Sequence, residues 1–357
     1  MALPEIGVNV QIFESGNHGR KKIAFLAAEK YPSTLMHVAI TGAAGHLGAA
    51  LVRQLLENGH SVSALVFRDD RALRGLPVTR VRGDLHNPET LRRLCDGAEV
   101  VQHLAGRISI GEVPERELWL TNVEAVRQLL EACQTTSVRR LIYFSSAHAF
   151  KSRPGAEVLD ESAPLTQGFP YERSKAAAQA MVLAASGQSG LETLSLNPTS
   201  VLGPWDYKPS LQGRMLLDLY RGKIPVLSPG GYDWVDNRDI ARAAVASMTQ
   251  GRTGEAYLLS GRYATLLDLA AMFGQITGKP VPRRTIPFWL LRPLAPVAGW
   301  WGNLTGQRPL FTREALSHVE TGHWKISHEK AARELGYRAR PLEETLQDTW
   351  EWLGKNH

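Results

Sequence analysis

The feature that most restricts how this chain can fold is an alternation that begins at Met36. Short apolar runs rich in β-formers (MHVAIT, SVSALVF, VTRVRGDL, EVVQHLA, RRLIYFSS, LETLSLNP) are separated by longer stretches with helical spacing, such as AALVRQLLENG and TNVEAVRQLLEACQ. A strand that returns to its sheet through a helix lies parallel to the strand before it. The rhythm therefore predicts an α/β fold built on a doubly wound parallel sheet. One helix carries its own start signal, with Asn87 as N-cap and Pro88 at the first helical position of NPETLRRLCDG. Sheets of this kind take nucleotides beyond the carboxyl ends of their strands.

After about Asn197 the rhythm loosens. Pro and Gly punctuate GPWDYKPS, KIPVLSPGGYD and GKPVPRRTIPFW, while helical spacing recurs in DIARAAVASM, TLLDLAAMFGQIT, SHEKAARELG and EETLQDTWEWL. That texture predicts a smaller lobe with long loops, mixed in sequence with the last pieces of the sheet. The division that follows is an extension over 1–35, a nucleotide-binding sheet domain over 36–200, and mainly a substrate lobe over 201–357. Residues 1–35 show no structural period and no secretion signal. With Met36 directly before the first strand, they read as a poorly ordered extension or a misplaced start.

Composition narrows the function. The net charge is only +6 and the arginines are scattered, whereas a nucleic-acid partner calls for a basic stripe or patch. Cys95 and Cys133 are the only cysteines, both in helical stretches, so there is neither a disulfide framework nor metal-ligand spacing. A reducing cytoplasm is the compartment this suggests. No apolar run reaches the roughly eighteen residues of a membrane span, which predicts no stable membrane insertion. The nearest, FWLLRPLAPVAGWWGNL from Phe288, is broken by Arg292, Pro293 and Pro296. It reads as a lid over a substrate pocket or as a segment lying on a membrane surface.

The chemistry-bearing motifs sit at the strand ends. TGAAGHLG places Gly42, Gly45 and Gly48 between a strand and an amphipathic helix, with His46 and Leu47 at the helix start. A turn without Cβ atoms lets backbone N–H groups approach a pyrophosphate; helix–sheet packing alone is the plainer alternative. The second strand ends VFRDD, with Phe67 and Arg68 ahead of Asp69 and Asp70. A carboxylate there bonds ribose hydroxyls and an Arg pairs with a 2′-phosphate. Arg68 thus favours NADP(H) over NAD(H), unless it is a solvated residue in a charged turn. Asp84, followed by Leu85, either accepts from an adenine amino group or caps a turn. HLAG ends the fourth strand with Leu104, Ala105 and Gly106, small enough for a cofactor to pass closely.

YERSK opens a helix, so Tyr171 and Lys175 at i and i+4 share one face. A phenol has a reference pKa of about 10, and a fixed ammonium nearby is expected to lower it. Ser146, at the end of the fifth strand, lies on the same sheet edge and can hold a carbonyl oxygen beside the phenol.

In order along the chain, TGAAGHLG, GDL, HLAG, TNV, FSSAHAF, YERSK, NPTSVLGPWDYKPS and DWVDNRDIARA make a specific set. By these motifs the chain resembles the extended short-chain dehydrogenase/reductase proteins, within them the dihydroflavonol-reductase-like and 3β-hydroxysteroid-dehydrogenase-like NAD(P)-dependent epimerase/dehydratase group. The resemblance implies a Rossmann domain with a small C-terminal substrate lobe. By position it makes Tyr171 the acid–base group, Ser146 its partner on the substrate oxygen, and Lys175 a holder of the nicotinamide ribose. Asn122 would support the site, Ser145 would serve strand and cofactor, and Pro198 would lie beside the nicotinamide. It also implies a small-molecule substrate and raises a homodimer through the helices TNVEAVRQLLEACQ and YERSKAAAQAMVLAAS. Two positions depart from the pattern: Phe67 stands where reductase-like members often have Arg, and His148 with Ala149 replaces small or hydroxyl residues. His148 either reaches the substrate pocket or is hydrogen-bonded locally.

Three activities remain open on this reading. The first is reduction of a carbonyl on a bulky, partly apolar molecule, the bulk suggested by aromatics such as Trp205, Tyr207 and Trp234 unless these simply build the core of the lobe. The second is a nucleotide-sugar epimerase or dehydratase that retains its NAD. The third, a cofactor sensor without turnover, is disfavoured because Ser146, Tyr171 and Lys175 are all present.

Overall fold

The computed structural model describes residues 35–109, 113–151, 158–291, 293, 313–321 and 325–357. The N-terminal extension up to residue 34, and most of the apolar stretch beyond Leu291, lie outside the described residues.

The six strands expected from sequence form, as β1 (His37–Thr41), β2 (Ser61–Val66), β3 (Thr79–Arg82), β4 (Val100–His103), β5 (Arg140–Phe144) and β6 (Glu192–Pro198). Two short strands follow, β7 (Ser200–Leu202) and β8 (Gly231–Asp236), before β9 (Glu255–Leu259) completes a seven-stranded sheet in the order β3-β2-β1-β4-β5-β6-β9. Every neighbouring pair in it is parallel. This is the Rossmann order, and it reverses direction between β1 and β4, the position where such sheets open a crevice. β10 (Arg262–Thr265) joins β8 and β7 in a separate three-stranded sheet that the sequence did not reveal.

The sheet is covered on both faces because its strands alternate apolar residues to both sides. Val38 and Ile40 of β1, with Ile142 and Phe144 of β5, face the layer of α1 (His46–Glu57). Ala39, Leu141 and Tyr143 face the opposite layer, made by α2 (Pro88–Cys95), α3 (Glu115–Trp119), α4 (Ala125–Gln134) and α5 (Pro170–Ala184). The start of α2 follows the sequence signal: Asn87 Oδ1 accepts from the N–H groups of Glu89 (2.9 Å) and Thr90 (3.4 Å), with Pro88 beside it. Cys95 and Cys133 are both buried between α2 and α4, and the neighbouring Cys95 thiol together with burial pushes the Cys133 thiol up. α6 (Leu211–Tyr220) and α8 (Leu266–Thr277) pack on the small sheet with the terminal helix Leu342–Asn356, burying Leu216, Trp234, Phe273 and Leu346. α7 (Asn237–Ala246) returns to the main sheet on the α1 side. Among the described residues no helix is long and apolar enough to cross a membrane.

One buried carboxylate in the small sheet makes stability depend on pH. Asp233, 7% exposed, accepts through Oδ1 from the Thr199 hydroxyl (2.6 Å) and the Gly261 N–H (2.7 Å). Desolvation pushes its carboxyl up to about 6. A folded pKa above the unfolded one means the neutral acid is favoured on folding. That contribution is complete below about pH 4 and is lost as pH rises through about 6. Asp233→Asn keeps the accepting oxygen and removes the charge. It is expected to raise stability at pH 7 by roughly 1–3 kcal/mol and to flatten the profile between pH 4 and 6, measured by urea unfolding across that range.

Candidate active site

The register Thr41↔His103 puts the residues after β1 and β4 side by side. The close approach dictates Gly42, whose φ is +74°. A Cβ there would sit 2.6 Å from Ala105 N and 2.8 Å from Leu104 C. At Gly48 a Cβ would stand 2.1 Å from Gly42 O. These two glycines therefore answer to backbone packing, so the plainer alternative holds part of the truth. Gly45 is different: it is the N-cap of α1 in extended conformation, with no side-chain cap and no acid in the first turn. The first N–H groups of that helix, from His46, Leu47 and Gly48, have no intrahelical acceptor and sit at its positive end. The His46 ring itself is spent elsewhere, within hydrogen-bond distance of Gly203 O (3.0 Å), and Leu47 packs against the main core.

At the tip of β2, Phe67 is 59% exposed and the Arg68 guanidinium stacks 4.7 Å above its ring. Both following acids are already held. Asp69 receives a forked bond from Arg71 (3.1 and 2.8 Å), which brings its carboxyl down to about 2. Asp70 lies 3.5 Å from Arg80 and 3.6 Å from Arg82. No carboxylate among the described residues pairs with Arg68. Asp84 caps a turn through the His86 N–H (2.9 Å), and Leu85 is partly buried against the α2–α4 layer.

The catalytic candidates converge at the ends of β4 and β5. The Ser146 side chain lies close enough to the Tyr171 hydroxyl to act on its ionisation, and Ser146 Oγ accepts from the His148 N–H (3.2 Å). Lys175, buried, donates to Phe144 O at 2.5 Å and lies 4.6 Å above the Tyr143 ring. Burial brings its ammonium down to about 7. The expectation that this ammonium lowers the Tyr171 phenol is not met. Burial pushes the phenol up to about 12; the Ser146 side chain opposes this, while the Glu172 and Glu314 carboxylates add to it. Lys175 is turned to a backbone carbonyl, so desolvation wins.

Asn122 lies in a π-helical turn, Leu120–Glu124, of a kind that often marks functional sites. It donates to Arg107 O (3.0 Å) and Ser174 Oγ (2.9 Å) and accepts from Arg107 N (2.7 Å). Ser174 in turn donates to Tyr171 O (2.7 Å). Asn122 thus fixes the first turn of α5 and the strand-end segment at Gly106. A Cβ on Gly106 would lie 3.3 Å from Asn122 Oδ1 and 3.9 Å from Lys175 Nζ, so the bare backbone there runs close to both side chains. Leu104 is partly buried, and the Ala105 N–H donates to Thr41 Oγ1 (3.2 Å). Pro198 ends β6 on the same edge, paired with Leu259. Ser145 Oγ and His103 Nε2 are buried and have no hydrogen-bond partner among the described residues. His103 is bonded to Thr41 through Nδ1 (2.6 Å), and desolvation brings its ring down to about 3. His148 is local: its Nδ1 lies 3.9 Å from Glu172 Oε1.

Three contributors were not singled out from sequence. Asn197 is fully buried, donates to Ser146 O (2.9 Å) and Gln179 (2.6 Å), and so fixes the serine from behind. Its signal was its place before Pro198 in the NPTSVLGPW motif. Glu172 anchors the start of α5 by accepting from Phe169 N (3.0 Å). Glu314, from the distant helix Arg313–Thr321, approaches Tyr171 closely enough to act on its phenol; no local pattern could have announced that.

Comparison with known proteins bears on the family and the fold. Residues 38–260 match the family model of the NAD dependent epimerase/dehydratase family. The chain is 36% identical over 264 residues to sterol demethylase protein B of Methylococcus capsulatus, covering 73% of this chain and 80% of that protein. It is 30% identical to a putative dihydroflavonol 4-reductase of Synechocystis, covering 89% and 94%. Among solved structures, gox2253 superposes with a TM-score of 0.78 at 31% identity, covering 90% of this chain and 98% of that one. The UDP-glucose 4-epimerase of Thermotoga maritima, at 21% identity and a TM-score of 0.74, shares the fold. The chain belongs to the NAD dependent epimerase/dehydratase family.

Proposed function

We propose that this protein is an NAD(P)(H)-dependent oxidoreductase that reduces a carbonyl group on a bulky small molecule, with Tyr171 as the proton donor. The observation that carries the reading is the Tyr171–Ser146 hydroxyl pair beside Lys175, on the sheet edge that also holds the glycine turn. The residues present suit a dinucleotide: an uncapped helix start at Gly45, a glycine at 106 whose bare backbone runs beside Asn122 and Lys175, and a buried Ser145 hydroxyl without a partner among the described residues. Gly45, His46, Leu47 and Gly48 would hold the pyrophosphate, Lys175 the nicotinamide ribose, and Pro198 would border the ring. When bound, the cofactor supplies the hydride.

The chain's own residues then handle the proton. Ser146 orients the substrate oxygen next to the phenol, and Tyr171 transfers its proton to that oxygen. A phenol pushed up to about 12 keeps its proton at neutral pH, which suits reduction over oxidation of the alcohol. Residues of the C-terminal segments, Glu314 among them, would border the substrate. A homodimer through the helices TNVEAVRQLLEACQ and YERSKAAAQAMVLAAS belongs to this reading, and Trp119 and Leu120, each 44% exposed, lie directly before the first of them.

NADP(H) is the favoured cofactor because Arg68, stacked on Phe67, has no carboxylate partner among the described residues, while Asp69 and Asp70 are engaged by arginines. NADPH is expected to bind more tightly than NADH, and Arg68→Ala to weaken NADPH about tenfold with NADH unchanged. Fluorescence titration of both cofactors on cofactor-free protein measures this. Equal affinities, or NAD that cannot be stripped from the protein, would move the assignment to an epimerase or dehydratase.

A further inference from the structure

Between Asp268 and Glu314 the sequence holds no acidic residue, yet it carries Lys279, Arg283, Arg284, Arg292, Arg308 and Arg313 among many apolar residues. The described part of this stretch forms a surface with two sides. Residues 284–286 lie against Leu227, which donates to Arg284 O (3.3 Å) and accepts from Ile286 N (2.9 Å). A short helical turn follows, closed by Leu290 N and Leu291 N on Pro287 O (3.0 and 3.2 Å). Leu291 is buried against Leu316, with Phe288 packed beside it. Trp289 and Leu290 point the other way, 70% and 43% exposed. Tyr220 and Val226, at 37% and 38%, are exposed on the neighbouring segment. Lys279, Arg283 and Arg284 are exposed as well, and the Lys279 ammonium lies 5.2 Å above the Tyr220 ring.

We propose that this face seats the protein on an anionic phospholipid surface, Trp289 and Leu290 entering the boundary between headgroups and acyl chains while Lys279, Arg283 and Arg284 meet the phosphates. An indole beside a leucine, flanked by cations in a stretch of sequence that holds no acid, is the chemistry that partitions into that layer. The helical turn is far too short to span, so the attachment lies in the plane of the surface. A second copy of the chain is a poor occupant, because two identical cationic faces repel.

The test is sedimentation of the full chain with vesicles of phosphatidylcholine alone and of phosphatidylcholine mixed with phosphatidylglycerol. Binding is expected to the mixed vesicles, to weaken with salt, and to be slight with phosphatidylcholine alone. The pair Trp289→Asp and Leu290→Asp is expected to cut vesicle binding about tenfold or more while cofactor affinity and thermal unfolding stay as in the wild type. The pair Arg283→Glu and Arg284→Glu should reduce it by about fivefold or more per position. No binding to the mixed vesicles, or binding that neither pair diminishes, overturns the proposal. So does a change confined to oligomeric state, which would make the face a contact between copies. Carbonyl reduction with a water-soluble substrate is a separate readout, so failure here does not touch the proposed reaction.

Discussion

Tyr171→Phe is expected to lower kcat by about a hundred- to ten-thousand-fold, the usual share of a positioned acid, while NADPH affinity stays within twofold or so. The phenol ring is packed at the start of α5, so Phe fills the same space and leaves the fold alone. What disappears is the O–H beside Ser146, the group proposed to transfer the proton. Because the phenol holds its proton up to about 12, its own limb in the wild-type reduction rate should fall only in strong alkali, and a change near neutral pH belongs to Lys175, whose ammonium is brought down to about 7. The variant should show no limb in strong alkali. Steady-state oxidation of NADPH with a carbonyl substrate, alongside a cofactor titration, reads both quantities. Wild-type turnover in the variant would remove Tyr171 from proton transfer, and with it the proposed mechanism. Loss of turnover together with cofactor affinity would instead assign the phenol to binding.

Gly48→Ala is expected to remove cofactor binding and to destabilise the protein by about 3 kcal/mol, the upper part of the range for overpacking. Its Cβ would stand 2.1 Å from Gly42 O and 2.8 Å from two backbone atoms of Ala43. Those atoms belong to the turn itself, so relief requires moving α1 away from it. With an unfolding entropy of about 2.1 cal/mol/K per residue over 357 residues, that predicts a Tm lower by about 4 °C. Gly45→Ala is the control, since its Cβ would meet only Gly42 O at 3.2 Å. That variant should lose much less stability and still bind cofactor poorly, because the added methyl enters the face of the uncapped helix start. An unchanged Tm for Gly48→Ala would show that the turn does not need the close approach.

How far the sequence could be read depended on the range of the interaction. The alternation of strands and helices, the Asn87 cap, and the placement of Tyr171 and Lys175 on one helical face are local, and each appears in the structure where expected. The Lys175 acceptor, Phe144 O, comes from a strand 31 residues away, so sequence spacing could not show that the ammonium turns from the phenol. His46 lies beside the glycine turn in sequence, yet its ring is committed to Gly203, 157 residues on. The acids after β2 looked available for a ribose until Arg71, Arg80 and Arg82 were seen around them. The strands of the small sheet went unread because β7, β8 and β10 are short and embedded in Pro- and Gly-rich stretches.

The last strand of the main sheet has a consequence for anyone cutting the gene. β9 pairs with β6 from Leu194↔Glu255 to Pro198↔Leu259, yet more than fifty residues separate the two in sequence. A fragment ending near residue 200 would therefore carry the glycine turn and Tyr171 but leave the whole outer side of β6 bare. Bare parallel edges of that kind recruit other chains. The half that looks self-sufficient in sequence would come out of the cell as aggregate, and only a product extending past Leu259 closes the sheet.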